Sequence, residues 1–155
     1  MLYKKFYHKK IVAIGDVHGN IKTLEALLKK IPKGMEVFFL GDLIDRGPAS
    51  KEVVSLVKNK YKCLLGNHES FMVVEGHRKL CRYTSRWGKN GAKQTKKSYG
   101  GDWKIKNIPN LKKDYQDHRL WMKELPLVAH FPKIEVNGRE LFLSHSSMDL
   151  SLIHI

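Results

Sequence analysis

Val37-Phe38-Phe39-Leu40-Gly41-Asp42-Leu43-Ile44-Asp45-Arg46-Gly47-Pro48 decides the reading of this chain. The first four residues are apolar and β-prone, the length and composition of a strand buried on both faces. Two carboxylates three residues apart follow, then an arginine, with glycines on either side. Pro48 suits the first turn of a helix, because its missing N–H would have no partner there. The segment therefore reads as a strand, a tight polar loop and a helix. The carboxyl end of such a strand is where an α/β protein builds a site. Taken alone, two acids and an arginine describe a helix cap beside a surface ion pair equally well.

The same grammar occurs twice more. Lys10-Ile11-Val12-Ala13-Ile14 reads as a strand, Gly15-Asp16-Val17-His18-Gly19-Asn20 as its loop. Asn20 is a candidate cap for a helix with Ile21, Leu24, Leu27, Leu28 and Ile31 at helical spacing. Tyr61-Lys62-Cys63-Leu64-Leu65 reads as a third strand that ends in Gly66-Asn67-His68-Glu69, with a helix starting at once. Strands alternating with helices predict an α/β domain with parallel central strands (a βαβαβ start) and all three polar loops on one edge of the sheet. Downstream, Gly76 to Asn110 is basic and rich in glycine and aromatics, helical in pieces around residues 80–98. Asp114 to Glu124 has helical spacing, and Asn137-Gly138 between two alternating runs predicts a hairpin whose second arm leads into Ser144-His145.

At 155 residues the chain is long enough for one domain with a core, with a basic helical segment at about 76–124. Its apolar runs are too short to cross a membrane, and its basic N-terminus lacks the apolar stretch of a signal peptide. Two cysteines, Cys63 and Cys81, show no pairing or zinc spacing, which points to a reducing cytoplasm. The net charge is +14, and residues 76–123 carry 14 Lys or Arg against three Asp. That balance favours polyanionic partners: nucleotides, phosphorylated protein or, less favoured, nucleic acid. A solvated basic face accounts for the charge equally well. Oligomeric state is not legible.

Asp16 and His18 are two apart, so on extended backbone both side chains face the same way and can grip one cation. Asp42 arrives from the next strand end, and a carboxylate can bridge two ions. Asn67 and His145 can hold a second through oxygen and nitrogen. A mixed O/N set suits Mn, Fe or Zn.

Gly-Asp-Val-His-Gly-Asn, Gly-Asp-Leu-Ile-Asp-Arg-Gly and Gly-Asn-His-Glu, in this order over residues 15 to 69, resemble the calcineurin-like metallophosphoesterases. More narrowly they are similar to the PPP-type serine/threonine phosphatases and the symmetrical diadenosine tetraphosphate hydrolases. Trp87 to Thr95 is similar to a Trp…Asn-Gly-Gly-x-x-Thr piece of the bacterial and phage branch, with Ala92 in place of the second glycine. The resemblance implies a β-sandwich core flanked by helices and two divalent ions, first of all Mn, with Fe, Zn and Ni as alternatives. Asp16 and His18 would hold one ion, Asn67 and His145 the other, and Asp42 both. Arg46 would bind phosphate oxygens, His68 would protonate the leaving oxygen and Asp45 would orient His68, with Asn67 and His68 also contacting substrate. The reaction implied is hydrolysis of a phosphate ester, on a phosphoprotein or a dinucleoside polyphosphate, by an activated water. A further phosphate-binding Arg and a Gly-His-Thr motif of the family are not found after His145, so the C-terminal part of the fold is expected to be missing and the second ion to bind more weakly. The competing expectation is an inactive remnant that uses its basic face as a nucleic-acid or protein-binding module. Glu69 is expected only to suit the first turn of its helix, and His8, His77, His118 and His130 to be surface or packing residues. The aromatics of 83–103 are expected in the core or as cover.

Overall fold

The computed structural model describes residues 3–75, 86–101 and 113–146. Two three-stranded sheets pack face to face. The first holds β2 (Ile11–Ile14), β3 (Glu36–Phe39) and β4 (Lys62–Cys63), all parallel and in that order. Each of its strands feeds a loop and a helix: α1 (Ile21–Leu28), α2 (Ser50–Lys60) and α3 (Asn67–Glu75). The second sheet holds β1 (Tyr3–Lys5), parallel to β5 (Val128–Val136), which pairs antiparallel with β6 (Arg139–Ser144). Between the sheets' sequences lie α4 (Arg86–Lys89), α5 (Ala92–Ser98) and α6 (Lys113–Lys123).

The alternation of a strand explains how one segment serves two cores. On β3, Val37 and Phe39 face the helices, joining Leu24, Val53, Val54, Val57 and Met72. Phe38 faces the other way and packs with Phe6, Leu64, Ala129 and Phe131 between the sheets. Phe38 meets Phe6 and Phe131 edge to face, with ring centroids 5.0 and 5.4 Å apart. The expected sandwich is present, and helices cover the outer face of its parallel sheet.

Several local expectations are corrected. The short strand β1 has no strong sequence signal: it is held by its register with β5, where Tyr3 lies opposite Val128. The third strand is two residues, not five. Tyr61 still closes α2, its N–H bonding to the carbonyl of Val57, and the N–H of Leu65 turns to the carbonyl of Pro126. Pro48 does not open α2, which starts at Ser50, because the N–H groups of Gly47 and Ala49 are taken by the carbonyls of His18 and Gly19. Asn20 precedes α1, but its side chain makes no cap; its amide donates back to the carbonyls of Val17 and His18. The hairpin is as expected, with φ of 53° at Asn137 and 72° at Gly138, the two-residue turn that matches strand twist. Cys63 is a buried free thiol, and Tyr99 and Trp87 are buried. Cys81, His77, Tyr83, Trp103, His154, the terminal Leu150–Ile155 and much of the basic 76–124 segment lie outside the described residues.

Candidate metal centre and its loops

The three strand-end loops converge on one edge of the parallel sheet and are stitched together through their backbones. His18 N–H donates to the carbonyl of Asp42 at 2.9 Å, and Gly19 N–H to that of Leu43 at 2.8 Å. Asp16 and His18 are not on extended backbone: their φ angles are 47° and 45°, in the left-handed region. Asp42, Asp45 and Arg46 share that region, at 53°, 72° and 62°. Non-glycine residues there are strained and need surrounding structure to hold them. Five such residues in two loops set this edge apart from the rest of the described chain.

Asp42 is buried at the centre. Its Oδ2 lies 3.8 Å from Nε2 of His18 and 3.8 Å from Nε2 of His68; its Oδ1 lies 3.4 Å from Nε2 of His145 and accepts the His68 N–H at 3.1 Å. Two candidate cation clusters share it. One is His18, Asp42 and His68, and the other is Asp16, Asp42 and His145, each with its ligand atoms within 4.8 Å of one another. The grouping sets Asp16 beside His145 and His18 beside His68, where the spacing argument set Asp16 beside His18. Asn67 joins the second group, with Oδ1 2.8 Å from Nε2 of His145.

The donor set fits metal ions on two observations. His18 Nδ1 donates to the carbonyl of Ile44 at 2.8 Å, which leaves a lone pair on Nε2; that atom is buried and has no hydrogen-bond partner. A buried polar atom in that state is costly unless a cation meets it. His145 repeats the pattern. Its Nδ1 donates to the carbonyl of Leu40 at 3.0 Å, so its Nε2 lone pair faces the Asn67 carbonyl oxygen. An imidazole nitrogen beside an amide oxygen is a mixed N/O pair that a divalent cation can take.

The second functional group is His68. Its Nδ1 donates to Oδ2 of Asp45 at 2.7 Å, and Nη2 of Arg46 lies 3.4 Å from its Nε2. Burial, the largest influence, works to lower the His68 pKa; the Asp45 hydrogen bond and the charges of Asp42 and Asp45 outweigh it, and the net displacement is upward. Arg46 is exposed, with its guanidinium available to a ligand. Asp45 is fully buried and is no helix cap. Besides His68 it accepts from the Trp87 indole N–H at 2.9 and 3.1 Å and from the Thr95 hydroxyl at 2.5 Å. Its own N–H is shared between the hydroxyls of Ser50 at 3.1 Å and Thr95 at 2.8 Å. Thus Trp87, read from sequence as core or cover, is core with a polar handle on Asp45. The Thr95 and Ser50 contacts span 50 and five residues of chain, and only the Trp87-to-Thr95 resemblance hinted at the first.

Glu69 is the residue the sequence undervalued. It is fully buried in the first turn of α3, where it was expected, but its carboxylate also reaches across to the Asp42 loop. Its Oε2 accepts the N–H of Asp42 at 2.7 Å and of Gly66 at 3.0 Å; its Oε1 accepts that of Leu43 at 2.8 Å. Burial first, and the charge of Asp42 second, push its carboxyl up to about 7, against the pull of those N–H groups. An acid directly after the site histidine was the available signal.

A two-sheet α/β domain with acids, histidines and an amide at the carboxyl ends of its parallel strands carries a donor set of the kind that holds divalent cations. Residues 9–152 match the family described as calcineurin-like phosphoesterase, and the chain belongs to it. Among curated proteins it is 29% identical, over 128 residues, to a symmetrical bis(5'-nucleosyl)-tetraphosphatase of Actinobacillus succinogenes, covering 76% of this chain and 38% of the relative. It is 36% identical over 74 residues to a zinc-dependent endopolyphosphatase of Saccharomyces cerevisiae, covering 43% of this chain and 23% of that protein. A solved structure assigned provisionally as a diadenosine tetraphosphatase matches with a TM-score of 0.53 at 22% identity, over 85% of this chain and 50% of that one, a likeness of fold. The chain thus spans half or less of the length of each of these proteins. No helix among the described residues is long and apolar enough to cross a membrane.

Proposed function

We propose that this chain hydrolyses phosphoric esters with two divalent ions, Mn first, held by Asp16, His18, Asp42, Asn67 and His145. The observation that carries the reading is Asp42, whose two carboxylate oxygens face different ligand clusters, one of them containing the buried, unpartnered Nε2 of His18. Such ions, when bound, ionise a water near neutral pH and offset phosphoryl charge. The remaining work falls to the chain. Arg46 forks onto two phosphate oxygens; with its guanidinium there, His68 as the imidazolium gives its Nε2 proton to the leaving oxygen and is left neutral, with Nδ1–H on Asp45. Asp45 keeps the ring of His68 in that tautomer and favours its charged form. Trp87 and Thr95 hold Asp45 in turn.

The substrate class proposed is the dinucleoside polyphosphates, in a cytoplasmic setting. Support comes from the tetraphosphatase relative, matched over 76% of this chain, and from a net charge of +14. The test compares p-nitrophenyl phosphate, diadenosine tetraphosphate and a phosphoserine peptide with Mn, in wild type and Asp42→Asn. The expected result is Mn-dependent turnover lost in the variant, with diadenosine tetraphosphate cleaved to two ADP faster than the peptide is dephosphorylated. No turnover contradicts the enzyme reading and favours a binding remnant; Mn-independent turnover, or turnover kept in Asp42→Asn, contradicts the cation reading; faster peptide turnover contradicts the substrate class alone.

A further inference from the structure

We propose that Glu69 is a positioning residue for the cation centre, acting through the backbone of the Asp42 loop rather than as a ligand. Its two carboxylate oxygens take three buried N–H groups, those of Asp42, Leu43 and Gly66, from two different loops. A fourth, that of Ile44, lies 3.4 Å away. Asp42 itself sits at a φ of 53°, a conformation an aspartate holds only when its surroundings impose it. Glu69 on its N–H and the His18 N–H on its carbonyl hold that conformation from either side. The clamp also requires Gly66: a Cβ there would lie 2.5 Å from the Glu69 Oε2 and 2.3 Å from the Asp42 Oδ1, so no side chain fits between the two acids. The His68 N–H then donates to Asp42 Oδ1, fixing the carboxylate's rotation as Glu69 fixes its backbone. The direction of both Asp42 oxygens toward their separate clusters thus depends on an acid that offers neither cluster an atom.

This inference rests on the cation reading of the site, and its test separates the two. Mn affinity is measured on the full chain by competition with a chromophoric chelator, for wild type, Glu69→Gln, Glu69→Asp and Val54→Ala. Glutamine keeps the shape but sets an NH2 against an N–H; aspartate keeps the charge but falls a methylene short. Both are expected to weaken Mn binding tenfold or more, with half-saturation of turnover shifted equally and substrate KM at saturating Mn within twofold. Val54→Ala, which removes volume from the buried core of α2, lowers the unfolding midpoint and leaves Mn affinity within twofold. A folded Glu69 variant that binds Mn within twofold of wild type overturns the proposal, as does a loss matched by Val54→Ala. Retention by Glu69→Asp alone would assign the effect to charge and also overturn the clamp. Amide exchange on metal-free wild type reads the clamp without a variant: the N–H groups of residues 42, 43 and 66 are expected to be protected like the core strands, and free exchange contradicts it. Wild type that binds no Mn fails the cation reading instead, and exchange still judges the clamp.

Discussion

Each site residue depends on the group behind it. Asp45 has no solvent contact, and its carboxylate is held by three donors, the Trp87 indole, the Thr95 hydroxyl and the His68 imidazole. Asp45→Asn keeps the shape and reverses one hydrogen bond, which misorients the imidazole. The expected outcome is a loss of turnover of about 100-fold or more with Mn affinity unchanged, read by steady-state kinetics beside the chelator assay. Thr95→Val removes a hydroxyl that serves Asp45 twice. It is expected to cost about 1–3 kcal/mol of stability in urea melts, the range for a buried polar group stripped of its partner. His118, on α6, is buried with Nδ1 accepting from the Tyr99 hydroxyl at 2.7 Å. Burial first, then the charge of Lys58, lowers its pKa, and Lys51 adds to this against Asp114 and Asp117. The unfolded chain takes up that proton near the ordinary histidine value of about 6.5, the folded chain only at lower pH. Between the two the unfolded state binds more protons, so this contribution is intact above that value and is lost as pH falls. Wild type is expected to lose more urea stability from pH 7.5 to 5 than His118→Gln; equal losses would contradict the assignment.

At the scale of elements, what was legible followed from period and punctuation. Val37 to Phe39 alternate between two cores, and the apolar run without polar breaks signalled burial on both faces. The Asn137-Gly138 turn was legible because few dipeptides accept two positive φ angles. The site's ligand types were legible because three glycine-started loops each followed a strand. Its geometry was not. Alternation placed Asp16 and His18 on one side of an extended segment, whereas backbone hydrogen bonds from His18 and Gly19 to the Asp42 loop wind them into left-handed turns. Nor could local pattern find β1 or the contacts that Glu69 and Thr95 make, since each rests on a partner far along the chain. Cys63 gives a check on the strand packing. It is buried on β4, and burial raises its thiol pKa well above the ordinary value. Native protein is expected to leave this thiol unlabelled by a thiol reagent, in a mass-resolved peptide map, until denaturant opens the sheet.

For the whole molecule, two sheets share one aromatic joint. Phe38 is fully buried between them, and Phe38→Ala is expected to cost about 3–5 kcal/mol, measured by urea unfolding. The loss should couple the site to the second sheet, because His145 follows β6 and hydrogen-bonds to the Leu40 carbonyl across that joint. The strand-end loops bring acids and histidines together on a chain of net charge +14, so the proposed cation site lies in a molecule otherwise suited to anions. That contrast makes the shared carboxylate of Asp42 the centre of the account. Its most direct test is Mn(II) spin counting by electron paramagnetic resonance on wild type and Asp42→Asn. The account predicts two bound ions per wild-type chain, one held more weakly, and at most one in the variant. Equal occupancy and affinity in the two proteins would contradict it.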